Sequence, residues 1–477
     1  MTGRMYVIYD TESTGTNPRY DQILQHAALL TDGGFRELDN FNVRSQRLPY
    51  KVARPKALEV TGVDPWTIDD APAMSPHAFA KFVHATFQRW SPACFLGYNI
   101  INFDEEIQRQ MFWENLLYPY VTNSKQSFRA DLLVIMRAWS AIKPDTFRIP
   151  ENDQGKPSFK LEHIAPHNGF ENMDAHDAQG DNYASAFMAR LLAENDPDLW
   201  EQLTALGRPA VCDQILQQPL VRLLTHYGTP ETHLTTPVAT NPSNNKEWCV
   251  FDLSVDPAPY LDLTETQLRD KLNTDFKILR TVKTNRQPIV MRDDDPRAPA
   301  ITADLDRATA ETRMQQIRQH PYFKVRLAQA LAQQSAAFDA KTDKPLEERI
   351  YGGFPSNADK NRMDRFHELD DWAARYDLVR GFEDERLRQI GLRVIMTEAP
   401  EALPADTLQR LRAGIAERRL LVPQDNNPWT TVEGARQNLE EVSDPELRAR
   451  ISEWIDAVEA HAHSWRQAPE TNAGAPT

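Results

Sequence analysis

The chain has 477 residues, 41% hydrophobic and 26% charged, which is enough apolar material for packed cores and excludes global disorder. This length exceeds one ordinary core, so two or three domains are expected. The 54 Lys and Arg against 69 Asp and Glu give a net charge of −15, which argues against a protein that coats nucleic acid through overall positive charge. Binding to a polyanion would need a local basic groove or metal ions held by carboxylates.

Cysteine content and hydropathy exclude further classes. Cys94, Cys212 and Cys249 form no CxxC pair, which argues against a disulfide framework and against a thiolate metal site. The first ten residues lack the pattern of a signal peptide, and no run of about 18 apolar residues predicts a transmembrane helix. We therefore expect a soluble, cytoplasmic protein that does not contact membranes.

The first ~195 residues alternate between strand and helix patterns, which is typical of an α/β domain. Ser75-Pro76 is an N-cap followed by proline at the first helical position. The predicted strands are Met5–Tyr9, Ile23–Leu30 and Cys94–Tyr98, and the predicted helices are one beginning at Pro76, Asp104–Asn115, Arg129–Ile142 and Asp177–Leu192.

The remainder divides into a β-rich part and a helical part. Prolines cluster between Pro219 and Pro259, which indicates a linker-rich middle. Strands are predicted at Trp248–Leu253, Phe276–Lys283 and Pro288–Arg292, with a helix between them that begins at a capping box of Thr264 and Gln267. Beyond about residue 307 the pattern is helical; Asp444 caps the last helix, and residues 468–477 form a polar tail that we expect to be disordered.

Asp10-Thr11-Glu12 directly follows the first predicted strand. Residues two apart on an extended chain point to one side, so both carboxylates share a face. Two close carboxylates repel each other unless a cation lies between them, and Mg²⁺ prefers such oxygen ligands. The alternative is an exposed strand end followed by a turn.

Two later segments carry similar chemistry. In Gly97–Glu106 a strand ends, a loop follows, and Asp104 begins a helix. Asp104 can cap that helix, and the same helix N-terminus beside the strand ends would accept a substrate phosphate, so both roles can hold together. In Ala175–Asp181, Asp177 can cap a helix, which places His176 on the preceding loop and Asp181 on the first turns. A surface histidine and a helix-start aspartate are the alternative reading.

Together, these acids and the histidine resemble the DEDDh 3′→5′ exonucleases of the ribonuclease H-like superfamily. Within that superfamily the chain resembles the bacterial exodeoxyribonuclease I family. The segments that carry the resemblance are Gly97–Asp104, Asp131–Arg137, Pro150–Gly155, Pro157–His163, Ala175–Ala184 and Ile350–Phe354. The match covers essentially the whole chain.

The resemblance implies three domains. Residues 1–195 would be an α/β ribonuclease H-like exonuclease domain, residues 196–345 a small SH3-like β-rich domain, and residues 346–467 a C-terminal all-α domain, before the tail at 468–477. The two accessory domains would arch over the active site and enclose a passage for single strands. Such a passage would make digestion processive.

The resemblance also implies a mechanism. Asp10, Glu12, Asp104 and Asp181 would hold two Mg²⁺ ions, with Mn²⁺ as a possible substitute, and His176 would be the general base that takes a proton from the attacking water. The enzyme would degrade single-stranded DNA from its 3′ end to 5′-mononucleotides, in DNA repair and recombination.

Substrate contacts are implied less sharply. The matching positions are Glu12, Arg109, Tyr120, Arg137, Phe159 and Lys160. Lys160 stands where the family pattern has arginine, so a bidentate contact is lost. A family tryptophan shortly after Tyr120 is absent, which removes one base-stacking partner. A group of arginines in the helical part are candidates for basic rims, with a solvated helix face as the alternative for each: Arg380, Arg386, Arg388, Arg393, Arg410, Arg412, Arg418 and Arg419.

The implied partners are single-stranded DNA and the acidic C-terminal tail of single-stranded DNA-binding protein, and a monomer is expected. Two other functions stay open. One is a DEDDh ribonuclease or a proofreading-type exonuclease, which would leave about 280 residues unexplained. The other is a catalytically silent module that docks on single-stranded DNA, which would not require all five active-site residues.

Overall fold

The computed structural model describes residues 3–69, 73–124, 126–171, 178–225, 228, 230–339, 344–423 and 427–466. These ranges contain two five-stranded sheets and a helical region. Across the described ranges, no helix combines the length and the apolar character needed to cross a membrane.

The first sheet has the strand order β3-β2-β1-β4-β5. Its strands are β1 (Tyr6–Ser13), β2 (Ile23–Thr31), β3 (Glu37–Arg44), β4 (Cys94–Gly97) and β5 (Phe128–Asp131). Strand β1 pairs antiparallel with β2 and parallel with β4, and β5 is parallel to β4. The mixed sheet therefore places the carboxyl ends of β1, β4 and β5 at one edge, where ligand sites form in α/β folds.

Helices cover both faces of this sheet. They are α1 (Pro55–Val60), α2 (Pro76–Trp90), α3 (Asp104–Trp113), α4 (Leu132–Ile142), α5 (Leu161–His167), α6 (Ala178–Asn195), α7 (Pro197–Ala205) and α8 (Pro209–Leu216). Residues alternate between faces along β1: Val7 and Tyr9 pack in a core with α2 and α3, whereas Tyr6 and Ile8 pack in a core with α4 and α6. Asp10 and Glu12 lie on the same face of β1 as Tyr6 and Ile8.

The second sheet is antiparallel, with the order β10-β6-β7-β8-β9. Its strands are β6 (Val221–Thr225), β7 (Glu231–Asn241), β8 (Asn244–Asp252), β9 (Leu279–Lys283) and β10 (Ile289–Arg292), and its helices are α9 (Ala258–Leu261), α10 (Glu265–Thr274), α11 (Arg307–Gln319) and α12 (Phe323–Asp339). A separate core with Phe251, Leu268 and Leu327 lies between this sheet and its helices.

The last region is helical. Its helices are α13 (Asn357–Glu368), α14 (Trp372–Arg380), α15 (Glu385–Glu398), α16 (Ala405–Arg419), α17 (Val432–Gln437) and α18 (Pro445–Arg466). Short 3₁₀ turns occur throughout the chain at Thr67–Asp69, Val121–Asn123, Pro144–Thr146, Thr284–Arg286, Leu346–Arg349, Pro400–Ala402 and Asn438–Glu441. On α18, Ile451, Trp454 and Ile455 are fully buried, so the apolar stripe is core packing.

The structure confirms the α/β, β-rich and helical parts, and it corrects several elements. The Pro219–Pro259 stretch is not a linker, because β6, β7 and β8 lie in it and Pro237 occupies a bulge of β7. The first part of the predicted helix Arg129–Ile142 is strand β5. The predicted caps Ser75 and Asp444 and the Thr264–Gln267 capping box are confirmed. The predicted disorder of residues 468–477 lies outside the described residues.

Candidate active site

Three predicted acids meet where α6 packs on β1. Asp10 and Glu12 lie on β1, Asp181 lies in the first turn of α6, and one carboxylate oxygen from each lies within 4.8 Å of the other two. All three are partly exposed. The strand does not end before Asp10 as predicted, since β1 stays paired with β2 through Glu12, which lies opposite Gln25. Continued pairing fixes both carboxylates on the face that α6 covers.

This donor set suits a divalent cation. Three carboxylates at such spacing repel one another in the absence of positive charge. Hard cations such as Mg²⁺ prefer carboxylate oxygens and keep open positions for water and phosphate oxygens. The partial exposure of Asp10, Glu12 and Asp181 leaves room for those further ligands.

Asp104 lies near this group but does not join it in the structure. It is the first residue of α3 and is 6% exposed, and its Oδ1 accepts a hydrogen bond of 2.5 Å from the Thr11 hydroxyl. Thr11 points to the opposite face of the sheet from Asp10 and Glu12. Burial raises the pKa of Asp104 to about 7, although the Thr11 hydrogen bond acts to lower it. Phe103 is the N-cap of α3, so Asp104 does not cap its own helix.

The loop before Asp104 is held by Asp131 at the end of β5. The Asp131 carboxylate accepts hydrogen bonds from the backbone N–H groups of Asn99 and Ile101 at 3.0 and 3.1 Å and also caps α4. Asn99 has a φ of 63°, in the left-handed region that asparagine tolerates. At Gly97 an added Cβ would lie 2.6 Å from the Tyr9 carbonyl oxygen, so β4 and β1 approach closely there. This loop therefore has a fixed path into α3.

Glu105 forms a buried network that sequence reasoning missed. It is fully buried, and its carboxylate accepts hydrogen bonds from the Tyr9 hydroxyl at 2.8 Å and the Thr122 hydroxyl at 2.6 Å. Arg109 and Arg129 pair with it at 2.9 and 3.3 Å. The network joins β1, α3 and β5 beside the acidic group. Glu105 follows Asp104 directly, but nothing local in the sequence indicates its distant partners.

His176 and Asp177 lie outside the described residues. The role predicted for His176 therefore stays a prediction. Asp181 follows them in the sequence and lies in the first turn of α6, as the motif predicted.

The predicted substrate contacts lie in two places. Arg109 is 7% exposed at its side chain, pairs with Glu105 and Glu106, and lies 5.1 Å from the centre of the Tyr120 ring. A phosphate contact by Arg109 would thus compete with two carboxylates. Arg137, on α4, has its guanidinium carbon 5.6 Å from the centre of the Phe159 ring.

Lys160 is 67% exposed at its side chain and pairs with Glu162 at 3.0 Å. Exposed ion pairs of this kind are weak, so the ammonium group can exchange Glu162 for a phosphate at little cost. All of these DNA contacts stay predictions.

An aromatic cleft of about 190 Å³ opens between the first-sheet domain and the helical region. Its lining includes Trp113, Tyr118, Tyr120, Tyr351 and Phe354. Phe354 is 75% exposed, and its ring centre lies 6.0 Å from that of Tyr120. Sequence reasoning identified Tyr120 but missed Phe354, although Phe354 lies in a segment that carried the family resemblance.

The predicted arginine rim is wrong for several of its members. Arg393 and Arg418 both pair with the buried Glu347, and Arg419 is 1% exposed. Arg386 pairs with Asp384. Arg386, Arg393 and Arg418 are thus held by carboxylates, and Arg419 donates a hydrogen bond of 2.7 Å to the carbonyl oxygen of Val458, so these guanidinium groups are not available to DNA.

A mixed sheet with an acidic pair on its central strand and a third acid on the crossing helix is the architecture of a ribonuclease H-like exonuclease. Family models agree along the chain: "Exonuclease" matches residues 7–185, "Exonuclease I SH3-like domain" residues 210–333, and "Exonuclease I C-terminal domain" residues 344–465. These three segments are called below the exonuclease, SH3-like and C-terminal domains.

Curated relatives give the same assignment. Exodeoxyribonuclease I of Escherichia coli K12 is 30% identical over 379 residues, covering 75% of this chain and 78% of the relative. Exodeoxyribonuclease I of Haemophilus influenzae is 29% identical over 412 residues, covering 81% and 84%. The chain belongs to the exonuclease I family, and it is a nuclease.

Solved structures share the whole architecture. E. coli exonuclease I in complex with a dA16 oligonucleotide superposes with a TM-score of 0.80 at 26% identity, covering 96% of this chain and 100% of that one. A zinc-bound form of the E. coli complex with single-stranded DNA gives a TM-score of 0.78 at 25% identity, covering 96% and 100%.

Proposed function

We propose that this chain degrades single-stranded DNA processively from the 3′ end and releases 5′-mononucleotides. The observation that carries the proposal is the meeting of the Asp10, Glu12 and Asp181 oxygens within 4.8 Å of one another. The family supports the substrate, because the E. coli relative binds a DNA oligonucleotide. Repair of DNA in the cytoplasm, action as a monomer, and binding to the tail of single-stranded DNA-binding protein remain part of this proposal.

The acidic group would hold divalent cations, for which we propose Mg²⁺ with Mn²⁺ as a substitute. The zinc-bound E. coli complex supports divalent-metal use in the family. When bound, such cations lower the pKa of the attacking water and stabilise the leaving 3′ oxygen. Asp10, Glu12 and Asp181 would supply the ligand oxygens. Asp104 would become a fourth ligand if its carboxylate exchanged the Thr11 hydroxyl for a cation.

We propose His176 as the base that takes a proton from the attacking water. An imidazole titrates near neutral pH, which suits this role. His176 lies five positions before Asp181 in the sequence, a spacing that would let the ring reach the same edge of the sheet.

The aromatic cleft would accept bases of the strand near its 3′ end. Stacking on exposed aromatic rings binds single strands without sequence preference and contributes about 1–3 kcal/mol per base. Phe354→Ala should therefore weaken binding of a dT oligonucleotide by about tenfold or more in the presence of Ca²⁺, which would replace Mg²⁺ to prevent cleavage. Fluorescence anisotropy measures this binding.

A matched control for this variant is Phe276→Ala. Phe276 is 60% exposed and precedes β9. It belongs to the SH3-like domain, whereas the cleft residues belong to the exonuclease and C-terminal domains. Equal weakening in both variants would count against base stacking in the cleft.

The function itself is tested with a 5′-labelled single-stranded DNA and Mg²⁺. We expect a ladder that shortens from the 3′ end and disappears with EDTA, and little digestion of a blunt duplex. An RNA of the same sequence should be cut far more slowly. Faster digestion of the RNA would move the chain to the ribonuclease alternative, and strand binding without digestion would leave the docking module.

A further inference from the structure

Glu106 lies at a point where all three domains meet. It is on the first turn of α3, two residues beyond Asp104, and is only 5% exposed. None of the functions proposed above uses it. A carboxylate so deeply buried must be balanced by partners, and its partners come from three separate parts of the chain.

The two oxygens of Glu106 receive partners from each domain. Within the exonuclease domain, Arg19 approaches Oε2 at 3.3 Å and Arg109 approaches Oε1 at 3.5 Å. Arg286 of the SH3-like domain lies 3.1 Å from Oε1. The hydroxyl of Tyr351, in the C-terminal domain, donates a hydrogen bond of 2.7 Å to Oε2.

The SH3-like domain reaches Glu106 through the turn Thr284–Gln287, which docks on the loop before α3. Arg286 also donates a 2.6 Å hydrogen bond to the carbonyl oxygen of Ile101 in that loop. The adjacent Gln287 is 1% exposed, and its Oε1 accepts a 2.6 Å hydrogen bond from the backbone N–H of Asp131. This turn therefore touches both the loop and the residue that holds the loop.

The C-terminal domain reaches Glu106 through Tyr351, which also borders the aromatic cleft. The Arg19 guanidinium lies over the Tyr351 ring, 4.6 Å from its centre. Hence the ring and the hydroxyl of Tyr351 are both fixed against the exonuclease domain.

We propose that Glu106 is a positioning residue that closes the two accessory domains around the strand path and so sets how many nucleotides are removed in one binding event. This inference rests on the proposed function. One carboxylate contacts three guanidinium groups there, of which Arg109 also pairs with Glu105. Without the charge of Glu106, Arg19 and Arg286 would lose the carboxylate that holds them beside Arg109, and the hydrogen bond from Tyr351 would lose its ionised acceptor. The passage would then open between rounds of cleavage while the acidic group on β1 and α6 stayed in place.

Glu106→Gln in the full chain tests this role. Processivity is measured on a long 5′-labelled single strand with excess unlabelled DNA as a trap, and chemistry by the single-turnover rate of the first cleavage at saturating enzyme. We expect the mean number of nucleotides removed per binding event to fall about tenfold or more, since charge-assisted hydrogen bonds at a buried site are lost. The first cleavage should slow by less than about threefold, because the metal ligands are untouched.

Arg286→Gln provides a second variant with the carboxylate intact. It should also lower the number of nucleotides removed per binding event. The reduction in the double variant should be smaller than the product of the two single reductions, because both changes remove one shared interaction. Thermal unfolding shows whether each variant is folded.

Glu398→Gln is the matched control. Glu398 also joins the C-terminal and exonuclease domains, since it accepts hydrogen bonds from the Ser75 hydroxyl and the His77 backbone N–H, neither of which belongs to α3. The inference would be overturned if Glu106→Gln removed as many nucleotides per binding event as the wild-type chain, or if Glu398→Gln reduced that number as much as Glu106→Gln does. It would also be overturned if Glu106→Gln slowed the first cleavage as much as it reduced the number of nucleotides removed. Absence of digestion by the wild-type chain would instead overturn the proposed function.

Discussion

Asp181→Asn is expected to slow digestion of single-stranded DNA by more than about 1,000-fold, or about 4 kcal/mol of transition-state stabilisation. Asp181 is the one member of the acidic group that comes from α6, so it closes the group from the side opposite β1. Asparagine keeps the size of the side chain but removes its charge, and the amide is a poor replacement as a ligand for a hard cation. Single-turnover digestion of a 5′-labelled strand with Mg²⁺ measures the loss.

Asp198→Asn is the control for this change. Asp198 lies in the first turn of α7, as Asp181 lies in the first turn of α6, but its side chain is 86% exposed and pairs with Arg297. Both variants should fold, because both positions are at the surface end of a helix. A rate for Asp181→Asn within tenfold of that for Asp198→Asn would contradict a role in metal binding.

Glu347→Ala is expected to lower the free energy of unfolding of the C-terminal domain by about 3–5 kcal/mol. Glu347 is 1% exposed, and its Oε1 accepts hydrogen bonds from Arg393 at 2.8 Å and from Arg418 at 2.7 Å. Removing the carboxylate would leave two largely buried guanidinium groups without their anion, which costs more than the lost contacts alone. Urea titration followed by circular dichroism measures the change.

The same carboxylate predicts a pH dependence. Burial acts to raise the pKa of Glu347, but Arg393 and Arg418 outweigh it and lower that pKa to about 2 from 4.5. A carboxyl whose pKa is lower in the folded state stabilises the fold fully above its ordinary pKa, and this contribution is lost as the pH falls from 4.5 towards 2. Glu347→Ala should therefore flatten the stability profile in that window.

The control for both measurements is Glu385→Ala. Glu385 pairs with Arg388 at 2.7 Å, but its side chain is 57% exposed, so its loss should cost less than about 1 kcal/mol. Similar losses of stability for Glu347→Ala and Glu385→Ala would show that the buried cluster contributes no more than a surface ion pair.

Local patterns predicted the elements whose signals are local. The strand run of β2, the cap at Ser75 and the Thr264–Gln267 capping box each depend on neighbouring residues, and all three are confirmed. The Asp-x-Glu spacing on β1 and the acid on α6 likewise predicted three side chains that the fold brings together. Two local signals were sufficient to place these groups: side chains two residues apart on a strand share a face, and Asp181 lies where a helix was predicted to begin.

Other features could not be predicted because their cause is distant in the chain. Strand β5 has only four residues, is buried between β4 and the helices, and runs directly into α4, so its apolar residues read as part of one helix. Apart from Arg109, which lies one helical turn away from Glu105 and Glu106, the partners of Glu105, Glu106 and Glu347 are separated from them by many residues or belong to other domains. A single sequence gives no signal for such pairs, and arginines predicted as a DNA rim were therefore misassigned.

Binding of Mn²⁺ by the acidic group tests the central claim most directly. Isothermal titration of Mn²⁺ would use the full chain bound to a single strand whose last 3′ linkage is a phosphorothioate that resists cleavage. We predict saturable Mn²⁺ binding in the wild-type chain, and its loss or strong weakening when Asp10 and Glu12 are replaced by asparagine and glutamine. Unchanged Mn²⁺ binding in that double variant would contradict the account, since the cations would then lie elsewhere.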